Sequence, residues 1–308
     1  MRRMHRNREV LSTESYQMNA WTRNMLVAGG LTLLLLSALS ATFYAGAHPR
    51  SRAAVLGTFG NQLEEFSSLE DRETLEYAER RTEEIITARN QSLGVAEQKQ
   101  LLTLWHGLGI WDNMWFLGIR IKKNPMDLWM MNNIIAEVRP DFIIETGTDH
   151  GGSALYWAAS LDLLGLKDSR VITIDIDDRT AAVSDKSLWN DYVEFMHSSS
   201  TDSELVAAIG ERVRGSTVLV ALDSNHQAYH VLQELQMYGP MVTPGSYLVV
   251  EDTNMDGVPV APGFGPGPMT AVIQYLEGDG GELFDQDLTR EAYVLTFNPG
   301  GWLRRKAQ

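Results

Sequence analysis

The chain has no cysteine among its 308 residues. That excludes disulfides, thiolate nucleophiles and cysteine-based zinc sites, and it leaves the compartment open. Basic residues are scarce where a nucleic acid would need them. Residues 1–50 carry Arg2, Arg3, Arg6, Arg8, Arg23 and Arg50 against Glu9 and Glu14. The remainder holds 20 Lys/Arg against 38 Asp/Glu, a formal −18 within a total of −14. A body that acidic argues against a phosphate backbone as partner, so no nucleic acid is expected. There is no internal repeat and no low-complexity tract.

Charge is absent altogether from residues 25–47. About 20 apolar helical residues span a hydrocarbon core, and a buried soluble helix of this length would show a polar edge. The run therefore predicts a single N-terminal transmembrane helix. Ala45-Gly46-Ala47 also looks like a signal-peptide cleavage site, the rival reading. The long basic lead, residues 1–24, favours an uncleaved anchor. The positive-inside rule would place the main domain outside the cytoplasm, whereas a cytosolic nucleotide cofactor requires the cytoplasmic side. Membrane localisation is expected; its direction stays open. Residues 48–104 read as a linker and charged helical segment, and 105–308 as the domain that carries the chemistry. The cluster Trp105, Trp111, Trp115 and Phe116 reads as core or interface, or as a cover over substrate or a contact with the membrane.

What the sequence does contain is centred on Ile143-Ile144-Glu145-Thr146-Gly147-Thr148-Asp149-His150-Gly151-Gly152-Ser153. A buried strand, a Gly-rich turn and a helix form the ligand-cradling unit of open α/β sheets. The spacing is G-x-x-x-G-G rather than the dinucleotide G-x-G-x-x-G. A carboxylate at Glu145 would repel a pyrophosphate and suits a cationic ligand such as S-adenosylmethionine. Further strands are expected over residues 171–177, 193–196, 217–223 and 246–252, with a closing strand over 292–297. Asn124-Pro125-Met126-Asp127 has the chemistry of a helix start. Continuous apolar runs ending in acids predict a parallel sheet buried on both faces. Glu145, Asp175, Asp177, Asp223, Glu251 and Asp252 then fall at one rim.

Several blocks resemble, in order, the cephalosporin hydroxylase/rhamnosyl O-methyltransferase family. They include Lys123-Asn124-Pro125-Met126-Asp127, Glu145-Thr146-Gly147-Thr148, Asp223-Ser224-Asn225-His226, Val250-Glu251-Asp252-Thr253 and Asn298-Pro299-Gly300-Gly301-Trp302. The resemblance covers roughly residues 105–305. It implies an α/β, Rossmann-like class I methyltransferase sheet with helices on both faces, using S-adenosylmethionine and Mg2+. Carried over by residue, Glu145, Gly147, Thr148, Asp149, Gly151, Gly152 and Ser153 would hold the methionine part, and Asp175 the ribose. Asp223, Glu251 and Asp252 would be metal ligands. His226 would be the base, although a histidine near a strand end also serves structural roles. The Gly/Pro-rich loop 254–267, with Phe264 near its tip, would be a lid.

The implied acceptor is a hydroxyl of a sugar, glycolipid or natural product, small or lipid-linked and reached from the membrane through residues 25–47. A homo-oligomer is left open. Three rival readings exist. An iron oxygenase, as the family label suggests, usually needs His-x-Asp/Glu, and none of the seven histidines has an acid two residues later. A nicotinamide dehydrogenase conflicts with the turn. A non-catalytic membrane scaffold would not need acids at every strand end.

Overall fold

The computed structural model describes residues 95–307 apart from Pro259 and Pro262. The expected transmembrane helix, the basic lead and the charged segment to residue 90 lie outside the described residues. Among the described residues, no helix is long and apolar enough to cross a membrane.

The first described element is helix α1 (Val95–Gly107), followed by a 3-10 turn (Ile110–Asn113) and a small hairpin, β1 (Trp115–Phe116) with β2 (Ile119–Arg120). Helix α2 (Pro125–Val138) starts as its sequence dictates. The Asn124 side chain accepts the Met126 N–H at 3.0 Å, and Pro125 occupies the first turn, where its missing N–H is harmless. It ends at Arg139 in a left-handed conformation, one residue before Pro140.

Strand and helix then alternate: β3 (Phe142–Thr146), α3 (Gly152–Leu163), β4 (Arg170–Asp175), α4 (Ser187–Tyr192), β5 (Val193–His197), α5 (Ser203–Arg212), β6 (Val218–Leu222), α6 (Ala228–Tyr238) and β7 (Tyr247–Val250). Helices α7 (Pro268–Glu277) and α8 (Gly280–Leu283) precede β8 (Phe284–Gln286) and β9 (Trp302–Arg305). The sheet order is β5-β4-β3-β6-β7-β9-β8. The first five are parallel, and β9 runs antiparallel between β7 and β8.

Side chains alternate between two cores. Ile144, Ile172, Val220 and Leu248 pack on one face with α5, α6 and α7. Ile143, Val171, Leu219 and Val249 pack on the other with α2 and α3. Burial on both faces explains the unbroken apolar runs. After β3 the chain moves outward through β4 and β5, then returns to place β6 on the other side of β3. This reversal opens a crevice at the carboxyl ends of β3 and β6, the position where such sheets bind ligands.

The expected closing strand over 292–297 is not a strand. Its apolar residues are drawn elsewhere: Leu295 and Phe297 pack with Leu102, Trp105 and Val260. Its backbone is held by side chains, with the Phe297 N–H given to Asp127 at 2.8 Å and the Leu295 carbonyl accepting from Asn124 at 3.0 Å. The closing strand is β9, five residues further on. Strands β4 and β7 are also shorter than expected, so Asp177, Glu251 and Asp252 stand in turns beyond them.

Candidate functional site

A cavity of about 270 Å³ opens over the crevice. Gly147, Thr148, Asp149, Gly152, Ser153 and Asp175 line it from the β3 and β4 side, and Asp223, His226 and Asp252 from the β6 and β7 side. Glu145 and Gly151 do not line it, contrary to the sequence expectation. Glu145 is buried. Its Oε1 accepts from Trp157 Nε1 at 2.8 Å and its Oε2 from Thr173 Oγ1 at 2.6 Å. Burial pushes its carboxyl up, and the hydrogen bonds from Ser153, Thr173 and Trp157 oppose that shift. Periodicity places Glu145 at the end of a strand but not which way it turns.

The glycines act through backbone approach. Gly147 has φ +86°, and a Cβ there would overlap the Asp223 carbonyl. A Cβ at Gly152 would overlap the Arg120 carbonyl. Both therefore close the cavity walls against each other. At Gly151 (φ +80°) a Cβ would meet Trp189 at 2.7 Å and Val183 at 2.9 Å, so bulk there strikes α4 and its approach rather than the cavity.

Asp175 accepts from the Asp149 N–H through Oδ2 and from the Asp177 N–H through Oδ1, both at 2.9 Å. Each oxygen keeps a second lone pair for a ligand hydroxyl. Asp149 has φ +45° and sits between Lys122 at 3.0 Å and Arg179 at 3.1 Å. Burial raises its carboxyl, but the hydrogen bond and charge of Lys122 outweigh that and hold it below its usual value.

At the other end, Asp223, His226 and Asp252 each present a ligand atom within 4.8 Å of the others, a spacing that fits one cation. Asp252 adopts a left-handed conformation, φ +59°, and its N–H is held by Asn298 Oδ1 at 2.9 Å. Its Oδ2 lies 3.2 Å from His226 Nε2. Burial alone would push His226 down; the hydrogen bond and charge of Asp252, and the charge of Asp223, push it up to about 9. Burial raises Asp223, Lys123 opposes this, and Glu251 and Asp252 push it further, to about 7.

Glu251 stands apart from this trio. It is 4% exposed, and its Oε1 lies 3.0 Å from Lys123 Nζ, which also meets Asp223 Oδ2 at 2.7 Å. The acids are therefore not bare. The segments around them in sequence contain no Lys or Arg, but the β2–α2 connection inserts Lys123 between them. Despite its burial, Lys123 is held firmly charged by these two acids. Asp127, one turn further along α2, is pushed up to about 8 by burial and by Glu251. Sequence reasoning missed Lys123 and Asp127 as site residues, although both lie in a block that carried the resemblance. Arg120, Lys122 and Arg179, which also line the cavity, were not singled out as ligand contacts, whereas Trp111, which lines it too, belongs to the aromatic cluster read as a possible cover over substrate.

The loop 254–267 is tied down by Asp256, whose carboxylate accepts from the N–H groups of Gly267, Met269 and Thr270 at 2.9–3.0 Å. Phe264 does not line the cavity.

A family model described as Rhamnosyl O-methyltransferase/CmcI matches residues 108–306. The chain is 35% identical over 205 residues to the rhamnosyl O-methyltransferase of Mycobacterium tuberculosis (strain ATCC 25618 / H37Rv), covering 65% of this chain and 82% of that protein. It is 33% identical over 209 residues to the protein of the same name from Mycobacterium leprae (strain TN), covering 66% and 87%. A solved structure described as "cmcI-D160 Mg-SAM" aligns at TM-score 0.48 and 20% identity, over 64% of this chain and 78% of that one.

Proposed function

This chain belongs to the rhamnosyl O-methyltransferase/CmcI family, and from that premise we propose that it transfers the methyl group of S-adenosylmethionine to a sugar hydroxyl with Mg2+ assistance. The observation that carries this reading is the division of one cavity into two chemistries. Its β4 end offers Asp175, and its β7 end offers the Asp223, His226 and Asp252 trio.

The cofactor supplies an electrophilic methyl group on a sulfonium. Asp175 takes the ribose hydroxyls on its free lone pairs, and residues 147–149 and 152–153 form the wall beside it. The acids on that wall suit a cationic ligand, with Lys122 and Arg179 limiting their charge. Asp223 and Asp252 supply oxygen donors of the hard kind that Mg2+ prefers. Bound there, the ion would lower the pKa of an acceptor hydroxyl. His226 would take the proton at Nε2, the nitrogen that faces Asp252; the carboxylates that push it up to about 9 are those a cation would engage, and their neutralisation would free it to act as a base near neutral pH. Two carboxylates with no second histidine beside His226 also depart from the two-histidine, one-carboxylate set of non-haem iron oxygenases. Methyl transfer otherwise needs alignment and exclusion of water.

The acceptor reading extends to a lipid-linked sugar. Residues 25–47 motivate it, because an anchored domain meets acceptors held in the same bilayer. Incubating the full chain with labelled S-adenosylmethionine and a rhamnosyl glycoside tests the reaction. Label should enter the glycoside with Mg2+, stop with EDTA, and return with added Mg2+. Asp252→Asn should lower turnover by about a hundredfold or more, the scale of losing an electrostatic stabiliser, while cofactor binding persists in calorimetry. Full transfer by demonstrably metal-free protein would sink the metal part of the reading.

A further inference from the structure

We propose that Trp111, backed by His106, is an acceptor subsite, an aromatic wall that takes the apolar face of a pyranose ring. This rests on the sugar-acceptor reading above. Trp111 is the only large aromatic side chain among the described residues that line the cavity; the rest of that lining is mostly charged, hydroxyl-bearing or glycine. Its indole is stacked on the His106 imidazole, with centroids 6.1 Å apart and planes inclined by 13°. Trp111 also packs against Leu102, Val260 and Phe297, which reduces the rotamer freedom left to lose on binding.

Position decides which ligand the wall serves. Strand order runs β4-β3-β6-β7, so the ribose-binding Asp175 and the catalytic Asp252 are separated by three strand spacings, roughly 14 Å. The segment bearing Trp111 is anchored on the β7 and β9 side. Leu102 and Trp105 of α1 pack on Val260 and Phe297, and Trp105 meets Phe297 edge-on at 6.4 Å. Phe297 neighbours Asn298, which holds the Asp252 N–H. Trp111 itself packs against that Leu102, Val260 and Phe297 cluster, which sets it toward the acceptor end of the cavity.

The chemistry fits a sugar. A pyranose presents ring C–H bonds, weakly positive at hydrogen, on one face and hydroxyls around its edge. An indole face is negative, so it attracts the C–H face and leaves an edge hydroxyl free to meet His226 and Asp252. Adenine stacking by Trp111 is the competing use of the same ring, and the test separates the two.

The full chain is loaded with Mg2+ and S-adenosylhomocysteine, and p-nitrophenyl α-L-rhamnopyranoside is the probe, read by saturation-transfer NMR and titration. The ring C–H protons should saturate in the wild type. Trp111→Ala should weaken glycoside binding by about tenfold, and Trp111→Phe by clearly less. Calorimetric affinity for S-adenosylhomocysteine should stay unchanged in both variants, which also shows that the site is folded. Undiminished glycoside binding by Trp111→Ala would overturn the subsite and leave the methyltransferase reading standing. Loss of cofactor affinity instead would assign the ring to adenine and overturn it too. No glycoside binding by the wild type would remove the sugar reading and this subsite with it.

Discussion

A single methyl group at Gly147 would overlap the Asp223 carbonyl at a backbone angle that side chains rarely adopt. Gly147→Ala is therefore expected to destabilise by about 2 kcal/mol or more in thermal melts, with cofactor binding lost because the cavity wall must shift. Gly151→Val behaves differently. Its side chain drives into Trp189 and Val183, so folding stability should fall first, and whatever protein stays folded should still bind cofactor. Lys123→Met removes the cation that separates Asp223 from Glu251. Leaving buried charge unpaired in this way typically costs about 3–5 kcal/mol. Urea denaturation should show that loss, with part of it recovered in Mg2+.

Elements act through their junctions. The start of α2 carries Lys123 to the acids, Asn124 to the Leu295 carbonyl and Asp127 to the Phe297 N–H. One helix end thus joins the acidic cluster to the segment that supports α1. The end of the same helix is joined to the sheet by Arg290, which is 4% exposed and holds Glu137 with two nitrogens, at 3.1 and 2.7 Å. Its guanidinium also lies over the Tyr247 ring at 4.9 Å.

The junction at the strand ends has a pH signature in cation-free protein. Asp223 and Asp127 are raised from 3.8 to about 7 and about 8, and His226 from 6.5 to about 9. In each case the folded state binds the proton more tightly than the unfolded chain. The contributions of Asp223 and Asp127 are therefore fully present below 3.8 and decline as pH rises to about 7 and about 8, and that of His226 is present below 6.5 and declines as pH rises to about 9. Asp252 is shifted the other way: burial would raise it, but His226 overcomes that, so its contribution is lost only in acid, below 3.8. Denaturant titrations in EDTA should show stability falling from pH 6 to 9. Mg2+ should flatten the fall, because binding to the folded state alone adds stability.

At the scale of the whole molecule, charge and hydropathy are divided along the chain. We propose from the uncharged run at residues 25–47, which lies outside the described residues, that the chain is tethered to a membrane. The full chain should sediment with membranes and resist carbonate extraction, and a chain beginning at residue 48 should be released. Release of the full chain by carbonate would remove the anchor and, with it, the argument for a lipid-linked acceptor.

The alternation of strands and helices is legible in the amino-acid order alone, because each element carries a local signal. Apolar runs of five or six residues, the Asn124-Pro125 start and the Gly-rich turn after β3 are examples, and the acids at the strand ends followed from them. Tertiary structure decided which of those acids meet. Glu145 turns into the core because Trp157 and Thr173 offer it donors, and Gly151 is spaced against α4. Lys123 neutralises acids 100 and more residues away in the chain, and Trp111 reaches the cavity through the packing of α1. The supposed closing strand failed for the same reason. Leu295 and Phe297 of its β-like pattern pack with α1, and Ala292 and Tyr293 against the α2 and α3 core, while Trp302–Arg305, in direct register with β7, took the place in the sheet. Local pattern fixes the period of burial, but the partner that satisfies a buried group is set by contacts distant in sequence.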